Sequence, residues 1–264
     1  MIKFKDPHVP AISNSYSQIG QDLFVVAMTR GQLGGSFLEI GAGDPYIGNN
    51  TYLLESQFNY RGISVERITS DYEKFFVEWY RSIKLPEWPD NIESFSSVPA
   101  WLKSCITQIY PVDNYAQYHD TKAEQDRNKL SEMWKECRPN SNLITKDAFD
   151  IDYSKLPNFF TYLQIDIEPP IDNLQILKKI CQHIRFAVIT FEHDYYLSSP
   201  GSNLALTESR EVLWSQGYHM VADKIHNFED WWVDPNYVDS EIYKYYETVN
   251  DSIKSSREVL KLTF

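Results

Sequence analysis

The stretch Gly34-Gly35-Ser36-Phe37-Leu38-Glu39-Ile40-Gly41-Ala42-Gly43 decides the fold. A five-residue, mostly apolar run stands between two glycine pairs. It reads as a buried strand that ends in a glycine loop. The chain has only 10 glycines in 264 residues, and seven fall between Gly20 and Gly48, so turn chemistry is concentrated around this one strand.

Upstream, Ile19, Leu23 and Val26 recur at helical spacing, which predicts a helix that starts at Ser17, capped by Ser17 or Ser15, and stops near Gly31. Downstream, Asn49-Asn50-Thr51 offers a cap for a helix over 52–58, and Gly62-Ile63-Ser64-Val65-Glu66 reads as a second strand. Strand, glycine loop, helix and strand make a βαβ unit, hence a parallel sheet with right-handed crossovers. The alternation continues with a helix over 71–83, strands at 142–145, 160–165 and 186–191, helices over 171–184 and 206–215, and a later strand at 218–222. The predicted architecture is a doubly wound, mostly parallel α/β sheet with one long insertion between its second and third strands.

That insertion, 85–141, is far longer than an ordinary αβ connection and holds five prolines together with Trp88, Trp101 and Trp134. It reads as a substrate cap or as a subunit contact, the latter implying a homo-oligomer. Residues 1–14 read as an N-terminal arm. The rest is expected to form one domain.

Composition excludes several classes. With 25 basic and 37 acidic residues the net charge is −12, which argues against nucleic acid and against an anionic membrane surface. No apolar run of 18 residues and no secretory signal are seen. The three cysteines, Cys105, Cys137 and Cys181, are widely spaced and odd in number, which fits reduced thiols in a cytoplasmic protein. Trp231-Trp232 reads as core packing.

In a parallel sheet, ligands sit beyond the carboxyl ends of the strands, where strand order reverses. The residues there are Glu39 to Asp44, Glu66, Asp147, Asp166 and Glu192-His193-Asp194, so a carboxylate closes every strand. Gly41 and Gly43 allow close backbone approach. The dinucleotide fingerprint needs a third glycine where Tyr46 stands, and no GK[ST] or G-x-S-x-G is present. Glycines and carboxylates without a phosphate grip suit S-adenosylmethionine, which carries a sulfonium, a ribose diol and an adenine. Glu66 is spaced from Gly41 close to the roughly 20 residues typical of ribose-binding acids. Asp147 would meet the adenine amino group, with Ala148 and Phe149 along the ring.

The segment Glu39-Ile40-Gly41-Ala42-Gly43 resembles the first motif of class I S-adenosylmethionine-dependent methyltransferases. More specifically, the chain resembles the FkbM-type methyltransferases. The resemblance rests on Ser17 to Phe24, Asn49 to Glu55, Gly62 to Glu66, Thr161 to Glu168, Ile189 to Asp194 and Phe228 to Pro235, in that order. It implies a Rossmann-like class I methyltransferase fold and O-methylation of a hydroxyl on a sugar, glycan or secondary metabolite. It also implies a cofactor near Glu39, Gly41, Ala42, Gly43, Glu66, Asp147 and Asp166. The 85–141 insertion is longer than the family pattern.

Methyl transfer to a hydroxyl benefits from a base or a metal. Asp166 and His193 are the expected catalytic residues. Asp166, Glu192 and Asp194 are the expected ligands should a hard ion such as Mg²⁺ take part. Two other classes compete. Asp150-Ile151-Asp152 and Asp166-Ile167-Glu168 mimic the acid-x-acid motif of metal-dependent nucleotide-sugar glycosyltransferases, and a non-catalytic scaffold would keep the fold alone.

Overall fold

The computed structural model describes residues 1–43, 45–46, 48–67, 134–136 and 138–263. Asp44, Cys105, Cys137, the helix expected over 71–83 and most of the 85–141 insertion lie outside the described residues.

The glycine-bounded run forms strand β2, Ser36–Ile40, as its sequence predicts. Helix α2, Tyr52–Phe58, follows and leads to β3, Arg61–Val65. Thr51 is the N-cap of α2 and makes no side-chain cap bond; Asn49, two residues earlier, accepts on its side-chain oxygen from the amides of Thr51 and Tyr52 at 3.0 and 2.8 Å. Beyond the undescribed segment come β4, Ser141–Ile144, β5, Phe159–Ile165, α3, Pro170–Ile180, and β6, Arg185–Glu192. Helix α4, Pro200–Ser215, begins six residues before the expected start. The signal there is Ser199-Pro200, a side-chain cap followed by a proline at the first helical position. Strands β7, His219–Ile225, and β8, Glu229–Val233, complete the sheet. Helices α5, Ser240–Tyr246, and α6, Ser256–Val259, follow.

The described strands of this sheet lie in the order β4-β3-β2-β5-β6-β8-β7. The first five are parallel neighbours, while β8 runs antiparallel to both β6 and β7. Strand β8 was not anticipated. Its five residues are buried throughout, so they show no alternation of apolar and polar residues. Trp231 and Trp232 point to opposite sides of it, each in a core cluster.

Helices cover both faces. One layer holds α1, Gln21–Met28, with α2, α5 and α6, packed on Phe37, Tyr162, Val188 and Trp231; Phe24 stacks on Trp231 at 4.6 Å. The other holds α3 and α4, whose Leu174, Leu177, Ile180 and Leu213 meet Leu38, Ile40, Leu163 and Ile165. The sheet is thus doubly wound, as expected.

Helix α1 begins at Gln21 rather than Ser17. Ser15 and Ser17 do not cap it; their hydroxyls each donate to the buried Asp22 carboxylate at 2.7 Å, as does the Tyr16 amide at 2.8 Å. Asp22 draws the preceding segment into a loop, a local competition that short polar side chains often win against the helix. Residues 1–14 are fastened to the body: β1, Lys3–Phe4, pairs antiparallel with β9, Leu262–Thr263, and Phe4, Val9 and Ile12 join the core. Among the described residues, no helix is long and apolar enough to cross a membrane.

Candidate functional site at the strand switch point

Strand order reverses between β2 and β5, since the chain leaves β2 toward β3 and β4 on one side and returns to build β5 and β6 on the other. A crevice beyond the carboxyl ends of these two strands is where such sheets take ligands. Gly41 stands at its floor with φ +82°, and a Cβ there would lie 1.7 Å from the carbonyl oxygen of Asp166. The glycine is required by contact between two strand ends, a role different from direct ligand approach. Gly43 has φ +55°, and among the described residues nothing lies within 4 Å of where its Cβ would stand, so of the two glycines it is the more open. The Gly43 amide donates to Oε2 of Glu66 at 2.8 Å, and the Glu66 amide donates to Ile144 at 3.0 Å. The structure therefore brings Gly41, Ala42, Gly43, Glu66 and Asp166 together across three neighbouring strand ends.

Glu39 lies beneath the loop and is buried. Its Oε2 accepts from Thr51 Oγ1 at 2.9 Å and Ser64 Oγ at 2.8 Å. Burial pushes its carboxyl up, and the Arg138 guanidinium with these hydroxyls pulls against that. Arg138 is itself buried. It pairs with Glu55 at 2.5 Å and donates to Thr51 Oγ1, Asn49 Oδ1 and the Pro45 carbonyl at 2.7, 2.9 and 3.2 Å. Together Glu39 and Arg138 pin the loop between β2 and α2 from below.

Asp147 follows β4. Its Oδ1 accepts from the Phe149 amide at 2.9 Å, and its Oδ2 lies 3.0 Å from Arg67. Ala148 is buried and Phe149 exposes its ring. These three stand at the end of β4, two strands from β2.

At the ends of β5 and β6, four carboxyls form a chain of contacts: Asp166 with Glu192, Glu192 with Asp194, and Asp194 with Glu168. Asp194 is buried, Asp166 and Glu192 are half-buried, and Glu168 reaches the surface. Burial raises all four above the ordinary range. Repulsion from Asp194 and Asp166 adds to this at Glu168, which is pushed up to about 8. Asp194 disfavours the charged form of Asp166, and both disfavour the charged form of Glu192. Asp166, Glu192 and Asp194 are the expected ligands of Mg²⁺. These carboxyls turn to one another, and among the described residues no group of three His, Cys, Asp or Glu side chains is arranged to hold an ion.

Glu229, at the start of β8, is fully buried and accepts from Trp231 Nε1 at 2.7 Å. Burial pushes it up to about 8 from an ordinary value of 4.5. A carboxyl raised on folding contributes stability that is complete below its unfolded value and is lost as pH rises through its folded one. We therefore expect the midpoint of thermal unfolding to fall between pH 5 and pH 8.5. Glu229→Gln should remove part of that slope and stabilise the protein at pH 8.5 by about 2–4 kcal/mol. Calorimetry across that range checks it; a variant with the wild-type slope would show that Glu229 is ionised at no cost.

His193 is fully buried. Its Nδ1 accepts from the Tyr195 amide at 3.2 Å, and its Nε2 lies 3.4 Å from Asp230 Oδ1. Among the described residues Nε2 is buried without a hydrogen-bond partner, while Nδ1 meets the Tyr195 amide. Sequence reasoning missed Arg138 and Glu229. Glu168 stood in the acid-x-acid motif and was legible; Arg138 pairs with a residue 83 positions away and left no local signal.

No protein-family model matches the chain, and no curated protein sequence matches it. Similar solved structures include the O-methyltransferase from Bacillus cereus in complex with SAH, at 13% identity and TM-score 0.45, covering 85% of this chain and 82% of that one. They also include the O-methyltransferase TomG from Streptomyces achromogenes, involved in tomaymycin synthesis, in complex with SAM. There the identity is 12% and the TM-score 0.45, covering 84% of this chain and 80% of that one.

Proposed function

We propose that the chain is an S-adenosylmethionine-dependent methyltransferase acting on a hydroxyl of a sugar, glycan or secondary metabolite. The observation that carries this reading is the link between Gly43 and Glu66 at the switch point. An acidic side chain stands at the end of the neighbouring strand, bonded to the amide of the more open of the two loop glycines. These residues fit a cofactor with a diol and no phosphate. The ordered sequence blocks that resemble FkbM-type methyltransferases support the same reading.

S-Adenosylmethionine, when bound, supplies a methyl group activated by its sulfonium. In this reading Glu66 holds the ribose hydroxyls, Gly43 gives the backbone room, and Ala148 and Phe149 border the adenine. Asp147 serves mainly to shape that border, since both of its oxygens already meet protein groups. Most of the acceleration of an in-line transfer comes from alignment. The raised Asp166 carboxyl at the switch point is the group that accepts the hydroxyl proton once it is ionised.

Isothermal calorimetry with S-adenosylhomocysteine tests the cofactor. Binding is expected, and Glu66→Ala should weaken it by about 10- to 100-fold through loss of charged hydrogen bonds of roughly 1.5–3 kcal/mol each. Glu66→Gln, which keeps an acceptor for the Gly43 amide, should lose less. Full affinity in Glu66→Ala would move the adenosine elsewhere. Binding of UDP-sugar with Mn²⁺ in place of S-adenosylhomocysteine would replace the reading with glycosyl transfer.

A further inference from the structure

We propose that His193 is a positioning residue: its ring acts as a strut that fixes the turn carrying Asp194 and Tyr196 at the mouth of the switch-point crevice. The role for that crevice rests on the methyltransferase reading; the strut does not.

The strut is anchored deep in the fold. Arg210, on α4, grips Asp230 of β8 through Nε at 2.6 Å and Nη2 at 3.0 Å. The Lys224 amide of β7 donates to the same carboxylate at 2.8 Å. His193 Nε2 stands 3.4 Å from Asp230 Oδ1, long for a hydrogen bond but within electrostatic reach. The far side of the ring receives the Tyr195 amide on Nδ1. An accepting Nδ1 bears no proton, so the geometry assigns the ring proton to Nε2, toward Asp230.

The turn needs such an anchor. Asp194 has φ +47° and Ser198 has φ +51°, left-handed conformations that cost non-glycine residues on the order of 1 kcal/mol or more. The amides of His193 and Asp194 both donate to the Phe228 carbonyl at 2.8 and 2.9 Å, and the Tyr196 amide donates to Asn227 at 3.2 Å. These bonds hold the base of the turn; the imidazole holds Tyr195, between Asp194 and Tyr196. Asp194 thereby reaches Glu168 and Glu192, while Tyr196 stays exposed against Phe228 at 4.9 Å.

Two near-isosteric variants of the full chain separate the two ends of the strut. His193→Asn keeps an acceptor near Nδ1 and gives up the contact with Asp230. His193→Gln keeps a donor near Nε2 and gives up the Tyr195 amide. In the wild type, nitrogen NMR of the ring should show a bare Nδ1 and a protonated Nε2. Amide exchange at Tyr195 should quicken by about tenfold or more in His193→Gln and by less than about threefold in His193→Asn. Under the methyltransferase reading, affinity for S-adenosylmethionine should drop by about threefold or more in His193→Gln and be rescued in His193→Asn, because Asp194 and its contacts with Glu168 and Glu192 move with the turn.

A wild-type ring protonated at Nδ1 would overturn the proposal, and that measurement needs no variant. Equal Tyr195 exchange in the two variants would overturn it as well. A wild type that binds neither form of the cofactor would sink the methyltransferase reading, and the ring and exchange results would still judge the strut.

Discussion

Gly41→Ala is expected to abolish stable folding or to lower stability by more than about 4 kcal/mol, in the range reserved for forced backbone displacement. The new methyl group would stand 1.7 Å from the carbonyl oxygen of Asp166, which is backbone and cannot swing aside. Relief requires the ends of β2 and β5 to separate, and the bond from the Asp166 amide to Ile40 at 2.9 Å would go with them. The left-handed φ of +82° adds its own cost. Gly43→Ala is the matched control: its methyl meets nothing within 4 Å among the described residues, so the expected loss is the conformational cost of about 1–2 kcal/mol. Urea unfolding of the two variants separates these roles. If Gly41→Ala were as stable as Gly43→Ala, the contact between the strand ends would not be tight. Under the proposed function the order reverses for ligand binding per folded molecule, because Gly43 faces the crevice.

The second large effect is expected at Arg138. Arg138→Ala removes the partner of Glu55 and the donor to Thr51 Oγ1 while leaving Glu55 and Glu39 buried. Breaking one side of a buried ion pair costs about 3–5 kcal/mol, since a charge is left without compensation. The double substitution Arg138→Met with Glu55→Leu should recover part of that loss, as apolar replacements of buried pairs often do. Denaturant midpoints of the wild type, the single variant and the double variant close the comparison. A double variant no more stable than Arg138→Ala would assign the loss to the other bonds of the guanidinium, to Asn49 and Pro45.

The sequence disclosed this fold where its signals were local. A five-residue run bounded by glycines became β2 with its predicted ends, and the predicted α2 starts after Thr51 with Asn49 bonded to its first amide. The acids at the strand ends were legible because strand ends were, and Glu66 came to rest against Gly43. What escaped was set by distant partners. Arg138 takes its meaning from Glu55 and Asn49, and His193 takes its meaning from Asp230 and the Tyr195 amide. The composition of the Glu192-His193-Asp194 segment suggests a base, while the groups its ring nitrogens face, Asp230 and the Tyr195 amide, leave no trace in that segment. The start of α1 was misread because Asp22 outcompetes Ser17 for control of the backbone ahead of it.

The pairing of Lys3–Phe4 with Leu262–Thr263 has a consequence for the order in which the chain assembles. Its two strands are separated by nearly the whole sequence, so closing them carries the loop-closure entropy of the entire chain unless the sheet has formed first. During synthesis the first strand leaves the ribosome with no mate, and it waits until the last residues of the described chain have followed. The ribbon therefore closes at least entropic cost once the sheet between its two strands has formed.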